Sequence, residues 1–261
     1  MNAVDLPHPS RGLNRLKNVE QVTDKQEDEM TKTMRLIYWM FTMATVINAP
    51  IALAQSKTYP PLDRYMMSQD EEVALARSAA PPNVSNKATI KVLTKTGYQT
   101  LQQGSNGFVC MVMRGWVAPT YTPAPLRDLV YDADLRAPIC FDSIAARTVM
   151  PYYELRSNLA MQGKTPDQIA AGVEAAYARG ELPARDRVSY AYMWSADQNL
   201  GPGAGHWHPH MMVFSPYYKN STLGDNEFGS PMPTVTDDAG TPFTVVVIPV
   251  DDRKAIKATS K

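Results

Sequence analysis

Residues 88–113 read ATIKVLTKTGYQTLQQGSNGFVCMVM. Segments 88–94 and 98–101 are rich in Ile, Val and Thr, which suit a pleated, half-buried surface, and Lys95-Thr96-Gly97 is a turn between them. Gly104-Ser105-Asn106-Gly107 is a second turn signal, and 108–113 follows as a third strand. The simplest arrangement of three strands so closely spaced is a meander. This stretch makes the chain a sheet builder.

Upstream, Ser68 with Glu71 three residues on is a capping box for a helix through Glu72-Val73-Ala74-Leu75-Ala76, stopped by Pro81 and Pro82. Downstream, 116–138 is rich in Pro and Asp without a sustained period and is expected to be a long surface connection. Helical character returns at 151–162, which stops at Gly163. A second helix is expected over 166–179, with Thr165 as cap, Pro166 at the first position, Gln168 reaching back and Gly180 as the stop. Segments 188–194, 210–214 and 243–250 read as three more strands, Val245-Val246-Val247-Ile248 as a buried central one. Helices that are grouped rather than alternating with strands predict an α+β fold: a mostly antiparallel sheet with two or three helices grouped on it.

The N-terminal part is expected to be an address. Residues 36–54 are apolar, follow Lys32 and Arg35, contain Pro50 and end in Ala52-Leu53-Ala54, as a secretory signal peptide does. Cleavage after Ala54 would leave 55–261 as a single α+β domain, periplasmic or secreted. About 19 apolar residues would also serve as a signal anchor, so membrane attachment through an uncleaved segment is the alternative. Met30 opens a conventional signal peptide over 30–54, so the polar residues 1–29 read as a misassigned or non-native extension.

Cys110 and Cys140 are the only cysteines, and an even pair in an exported chain is expected to form a disulfide. A nucleophilic cysteine is the rival, without a family signature around either residue. Twenty-six basic side chains balance 26 acidic ones, and no basic stripe or aromatic-plus-basic motif appears, so neither nucleic acid nor anionic lipid is an expected partner. There is no Gly-x-Ser-x-Gly elbow, P-loop or dinucleotide fingerprint. Asp237-Asp238 and Asp251-Asp252 read as solvated turn charges.

Two clusters are candidates for function. His206, His208 and His210 fall within GPGAGHWHPH, residues 201–210, and alternate imidazoles on an extended strand project to one side, so a pair could hold a transition metal such as Zn or Cu. The outer two are about 13 Å apart in a straight strand, too far for one ion unless Pro209 and the glycines bend the backbone. Asp225 and Glu227 are the nearest following carboxylates and would be remote ligands; a His-x-His pair by itself is a weak signal, so the favoured reading is a surface loop that happens to carry histidines, with the metal site as the alternative. Separately, Tyr190, Tyr192 and Trp194 alternate on one strand face, which suits a carbohydrate or peptide ligand, although the expected reading is a core face covered by a helix.

Ala76-Arg77-Ser78-Ala79-Ala80-Pro81-Pro82, the Asn106-Gly107-Phe108-Val109-Cys110 segment and the loop from Tyr217 to Pro231 together resemble a group of exported bacterial proteins to which no activity is assigned. That resemblance spans most of 55–261, implies export and adds no chemistry. The expectation is an envelope protein, not an enzyme, that binds a small molecule or another envelope protein, with a metal-dependent protein as the alternative.

Overall fold

The computed structural model describes residues 59–116, 131–201, 205–227, 229–235 and 238–259. Residues 1–58, on which the expected extension and signal peptide fall, most of the proline-rich connection and Pro202-Gly203-Ala204 lie outside the described residues. The expectations placed on them stay where the sequence leaves them.

The Ser68 signal is realised as read. Ser68 Oγ accepts from Glu71 N–H while the Glu71 carboxylate accepts from Ser68 N–H, and helix α1 runs Gln69–Ser78. Pro81-Pro82 ends it but does more than stop the chain: Pro82, with φ preset for a first helical turn, opens the short helix α2, Pro82–Ser85. Strand β1, Thr89–Thr94, then turns at Lys95-Thr96 into β2, Gly97–Gln102, with Thr94 facing Gly97.

The expected meander does not form. Strand β3, Val109–Met113, lies beside β1, not beside β2, and runs parallel to it. The connection after β2 instead crosses the start of β1, held by Ser105 and Asn106 N–H donating to Lys87 O and by Thr89 N–H donating to Phe108 O. Gly104 makes that crossing possible, because a Cβ there would stand 2.3 Å from the backbone of Ala88 and Thr89. Glycine spacing gave the turn but not the side of β1 on which the chain emerges.

Strand β4, Ala137–Phe141, corrects the reading of 116–138 as surface connection throughout. All five of its residues are buried, as are Trp116, Ala133 and Leu135 nearby. It pairs antiparallel with β3 so that Cys140 sits opposite Cys110, and the two form the disulfide. After β4 come α3 (Ala145–Thr148), α4 (Met150–Met161) and α5 (Pro166–Ala178). In α5 the Thr165–Gln168 capping box and Pro166 are all in place.

The remaining strands are β5 (Ser189–Met193), β6 (His210–Phe214), the two-residue β7 (Thr234–Val235) and β8 (Val245–Pro249). One eight-stranded sheet results, in the order β2-β1-β3-β4-β5-β6-β8-β7, antiparallel except for β1 and β3. The fold is α+β. Strand β8 lies between β6 and β7, as its apolar run leads one to expect.

Period-two alternation divides the side chains between two cores. Met111, Ile139, Phe141, Ala191, Met193, Phe214, Val245 and Val247 face the α3–α5 side. Ile90, Val92, Cys110, Val112 and Cys140 face α1 through Leu75, Ala76 and Ala79. Each fully buried branched residue of this kind contributes about 1.5–3 kcal/mol. No described helix is long and apolar enough to cross a membrane.

Candidate functional site

The histidine loop is built around Gln198. This buried side chain donates from Nε2 to the carbonyls of Trp207 (2.7 Å) and His208 (3.1 Å), while the Gln198 backbone carbonyl lies 3.3 Å from His206 Nδ1. The hold on successive carbonyls keeps 206–209 out of strand geometry, and β6 begins only at His210. The expected alternation of imidazoles therefore fails. His206 and His208 are exposed, whereas His210 points into the core face, 3 % exposed, with its ring centroid 4.7 Å from that of Trp207.

Each ring has a different partner. His208 Nδ1 is 2.6 Å from Asp252 Oδ1, an exposed pair of the kind worth little in solution. His210 Nδ1 is 2.8 Å from the His208 carbonyl, which makes Nδ1 the protonated nitrogen of a neutral ring, and burial pushes its pKa down to about 4. Asp225 and Glu227 are exposed in the 220–227 loop, with no described contact to any of the three histidines. Among the described residues no three His, Cys, Asp or Glu side chains come together as a metal cluster. A groove of about 360 Å³ lies beside His208, Asp251 and Asp252, but Asp251 is already paired with Arg253.

Tyr190, Tyr192 and Trp194 do share a face. Their rings form an edge-to-face ladder, centroids 5.7 and 5.3 Å apart and planes at 86° and 89°, and Phe108 adds a fourth ring 6.2 Å from both tyrosines. They are half-buried, not core. The register sets Val213 beside Tyr190 and Met211 beside Tyr192, then Val246 and Ile248 beyond them, and Val235 beyond Val246. The exposed Val188 has the same parity as Tyr190 and prolongs the strip at its other end. On this side α1 packs over β1, β3 and β4, and the Ala79 carbonyl just after it accepts from Trp194 N–H at the near end of the ladder.

No family model, curated protein or solved structure matches the chain.

A second concavity, of about 400 Å³, escapes motif reading altogether. Tyr177, Arg185, Tyr217, Pro242 and Phe243 line it, together with the exposed carboxylates of Glu174 and Asp186. Behind it stands Tyr152, whose ring lies 4.4 Å from the Arg185 guanidinium carbon and 4.8 Å from that of Arg156. Burial pushes the neighbouring Tyr153 hydroxyl up to about 12, against the opposing pull of Arg185. The one local signal was Tyr152 and Arg156 at i, i+4 in α4; Arg185 and Phe243 come from distant segments and carry no motif.

Proposed function

We propose that the protein is an exported envelope protein that binds a partner protein rather than catalysing a reaction, and that the strip from Val188 through Tyr190, Tyr192 and Trp194 to Met211, Val213 and Ile248 is its contact surface. The observation that carries this reading is an apolar sheet face left half-exposed over three strands, β5, β6 and β8. Apolar patches of that kind mark interaction sites on monomeric proteins. Interleaved rings at nearly 90° do not make the flat platform on which a sugar ring stacks, so the ladder favours an apolar protein segment over a carbohydrate. Export is supported by the signal-like segment 30–54 and by the Cys110–Cys140 disulfide, a bond that persists in oxidising compartments.

The test places a photo-crosslinking residue at Val213 in the exporting cell and, as a control, at Gln99 on the exposed part of β2. A discrete crosslinked protein at position 213, absent at 99 and lost when Val188→Asp is added, is the expected result. No product at 213, or the same product at both positions, contradicts the reading.

The metal alternative has one favourable observation, the exposed His206 and His208 in a single loop. Metal content measured on purified protein, against a variant in which His206, His208 and His210 are all alanine, decides it: near-stoichiometric metal lost in the variant would establish the loop as a site.

A further inference from the structure

Arg185 is 8 % exposed, and its Nε and Nη2 have no hydrogen-bond acceptor. Those two nitrogens form one edge of the guanidinium, the edge that matches the two oxygens of a carboxylate. Two aromatic rings crowd one side of it: the guanidinium carbon lies 4.4 Å from the Tyr152 ring centre and 4.6 Å from that of Phe243, and those two ring centres are 5.2 Å apart. Arg156 is 3 % exposed on the same tyrosine, donating to Tyr152 Oη at 3.0 Å and leaving its own Nε unpaired. Neither arginine makes an ion pair with a described carboxylate. Burial of a guanidinium without a counter-charge costs several kcal/mol, and here two such groups share one ring. The Arg185 environment calls for an anion that the described part of the chain does not supply.

The cavity beside Arg185 specifies the rest of that anion. Its walls are Tyr177, Tyr217, Pro242 and Phe243, which suit an apolar body, and about 400 Å³ lies within the size range of small-molecule sites. Glu174 and Asp186, both exposed, also line it; their charges oppose any anion, a doubly charged phosphate more than a monocarboxylate. Tyr217 is 65 % exposed and held at φ 65°, a left-handed conformation that a bulky side chain rarely adopts and that clusters at ligand sites.

We propose that this cavity binds a small organic monocarboxylate with an apolar body, its carboxylate paired side-on with Arg185. Because the Nε and Nη2 edge is shut off from water, the carboxylate reaches it as wall side chains shift, and Tyr217 is the most exposed of the lining aromatics. The site is separate from the sheet face around Tyr190, and neither reading depends on the other.

The test is calorimetric titration of the purified protein with phenylacetate, hexanoate, 2-phenylethanol and inorganic phosphate. At least one of the two carboxylates is expected to bind, with phenylacetate or hexanoate favoured by about tenfold or more over the neutral alcohol and over phosphate. Arg185→Gln removes that preference. Tyr217→Ala, a change at an exposed side chain, weakens the bound carboxylate several-fold with an unchanged melting curve. Should Arg185→Gln fail to fold, Arg185→Lys keeps the charge and loses the side-on edge, and is expected to bind more weakly than the parent. Absence of binding by both carboxylates up to about 10 mM, equal binding of the alcohol, or preference for phosphate overturns the proposal.

Discussion

Glu72 Oε1 and Arg114 Nη2 stand 2.9 Å apart with both side chains enclosed by the protein. The same carboxylate oxygen accepts from Leu93 N–H at 2.9 Å, and Arg114 donates from Nε to the Tyr65 carbonyl at 2.7 Å and from Nη1 to Val112 O. One ion pair thus ties α1, β1, the end of β3 and the turn at Leu62–Tyr65 into a unit. Glu72→Ala is expected to cost about 3–5 kcal/mol, because it strands a buried guanidinium. Replacing both residues with Met is expected to cost much less than the sum of the two single losses. Urea unfolding of the four proteins measures this, and additive losses would show that the pair is not coupled.

The Cys110–Cys140 bond closes a separation of 30 residues between directly opposed strand positions. On the chain-entropy model, its removal by a double Cys→Ala change lowers stability by about 3–4 kcal/mol. Both cysteines are fully buried, so reductant is expected to act on the folded protein only through unfolding. Thiol titration with and without denaturant checks this: rapid reduction under native conditions would contradict the enclosed position.

Gly104→Ala is expected to be among the most damaging single changes in the sheet. A Cβ there meets backbone at 2.3 Å, and backbone cannot rotate away as a side-chain end can. A loss of about 4 kcal/mol or more, or failure to fold, is the expectation. Gly163→Ala serves as the comparison, since Gly163 has φ 76° and no atom within 4 Å of a Cβ; its cost should stay near 1–2 kcal/mol, the backbone penalty alone. Similar losses at the two sites would remove the role given to Gly104.

His210 makes stability depend on pH. Its folded pKa, about 4, is below the ordinary 6.5, so between those values the unfolded chain binds more protons than the folded one. The associated stability is present above about pH 6.5 and is lost as pH falls toward about 4. Between about pH 7 and pH 5 the loss is roughly 2 kcal/mol. His210→Phe should remove that component, and urea midpoints of both proteins across the range test it. An identical pH dependence in the variant would mean that His210 is not held neutral by the fold.

What was legible in the sequence was what short-range physics determines. Ser68 with Glu71 and Thr165 with Gln168 announce their helices because the partners are three residues apart. Strand β4 was missed because Pro138 interrupts its pattern. Proline is tolerated there because pairing with β5 involves only Cys140 and Phe141, which leaves the position of its missing N–H without a ladder partner on that side. The parallel pairing of β1 with β3 depends on a loop crossing, and the splayed histidines depend on Gln198, eight or more residues away; neither leaves a periodic trace. The tyrosine alternation was readable as a shared face, whereas its half-exposure follows from α1 and α2 covering only part of the sheet.

On the proposed function, the Tyr190–Tyr192 face is covered by another protein where this chain works. Hydroxyl-radical footprinting of Tyr190, Tyr192 and Met211, in the purified protein and in intact exporting cells, tests it most directly. Ready oxidation of these side chains is expected in the purified protein and strong protection in cells, with exposed Tyr218 modified equally in both. Equal oxidation of the face in the two settings would contradict it.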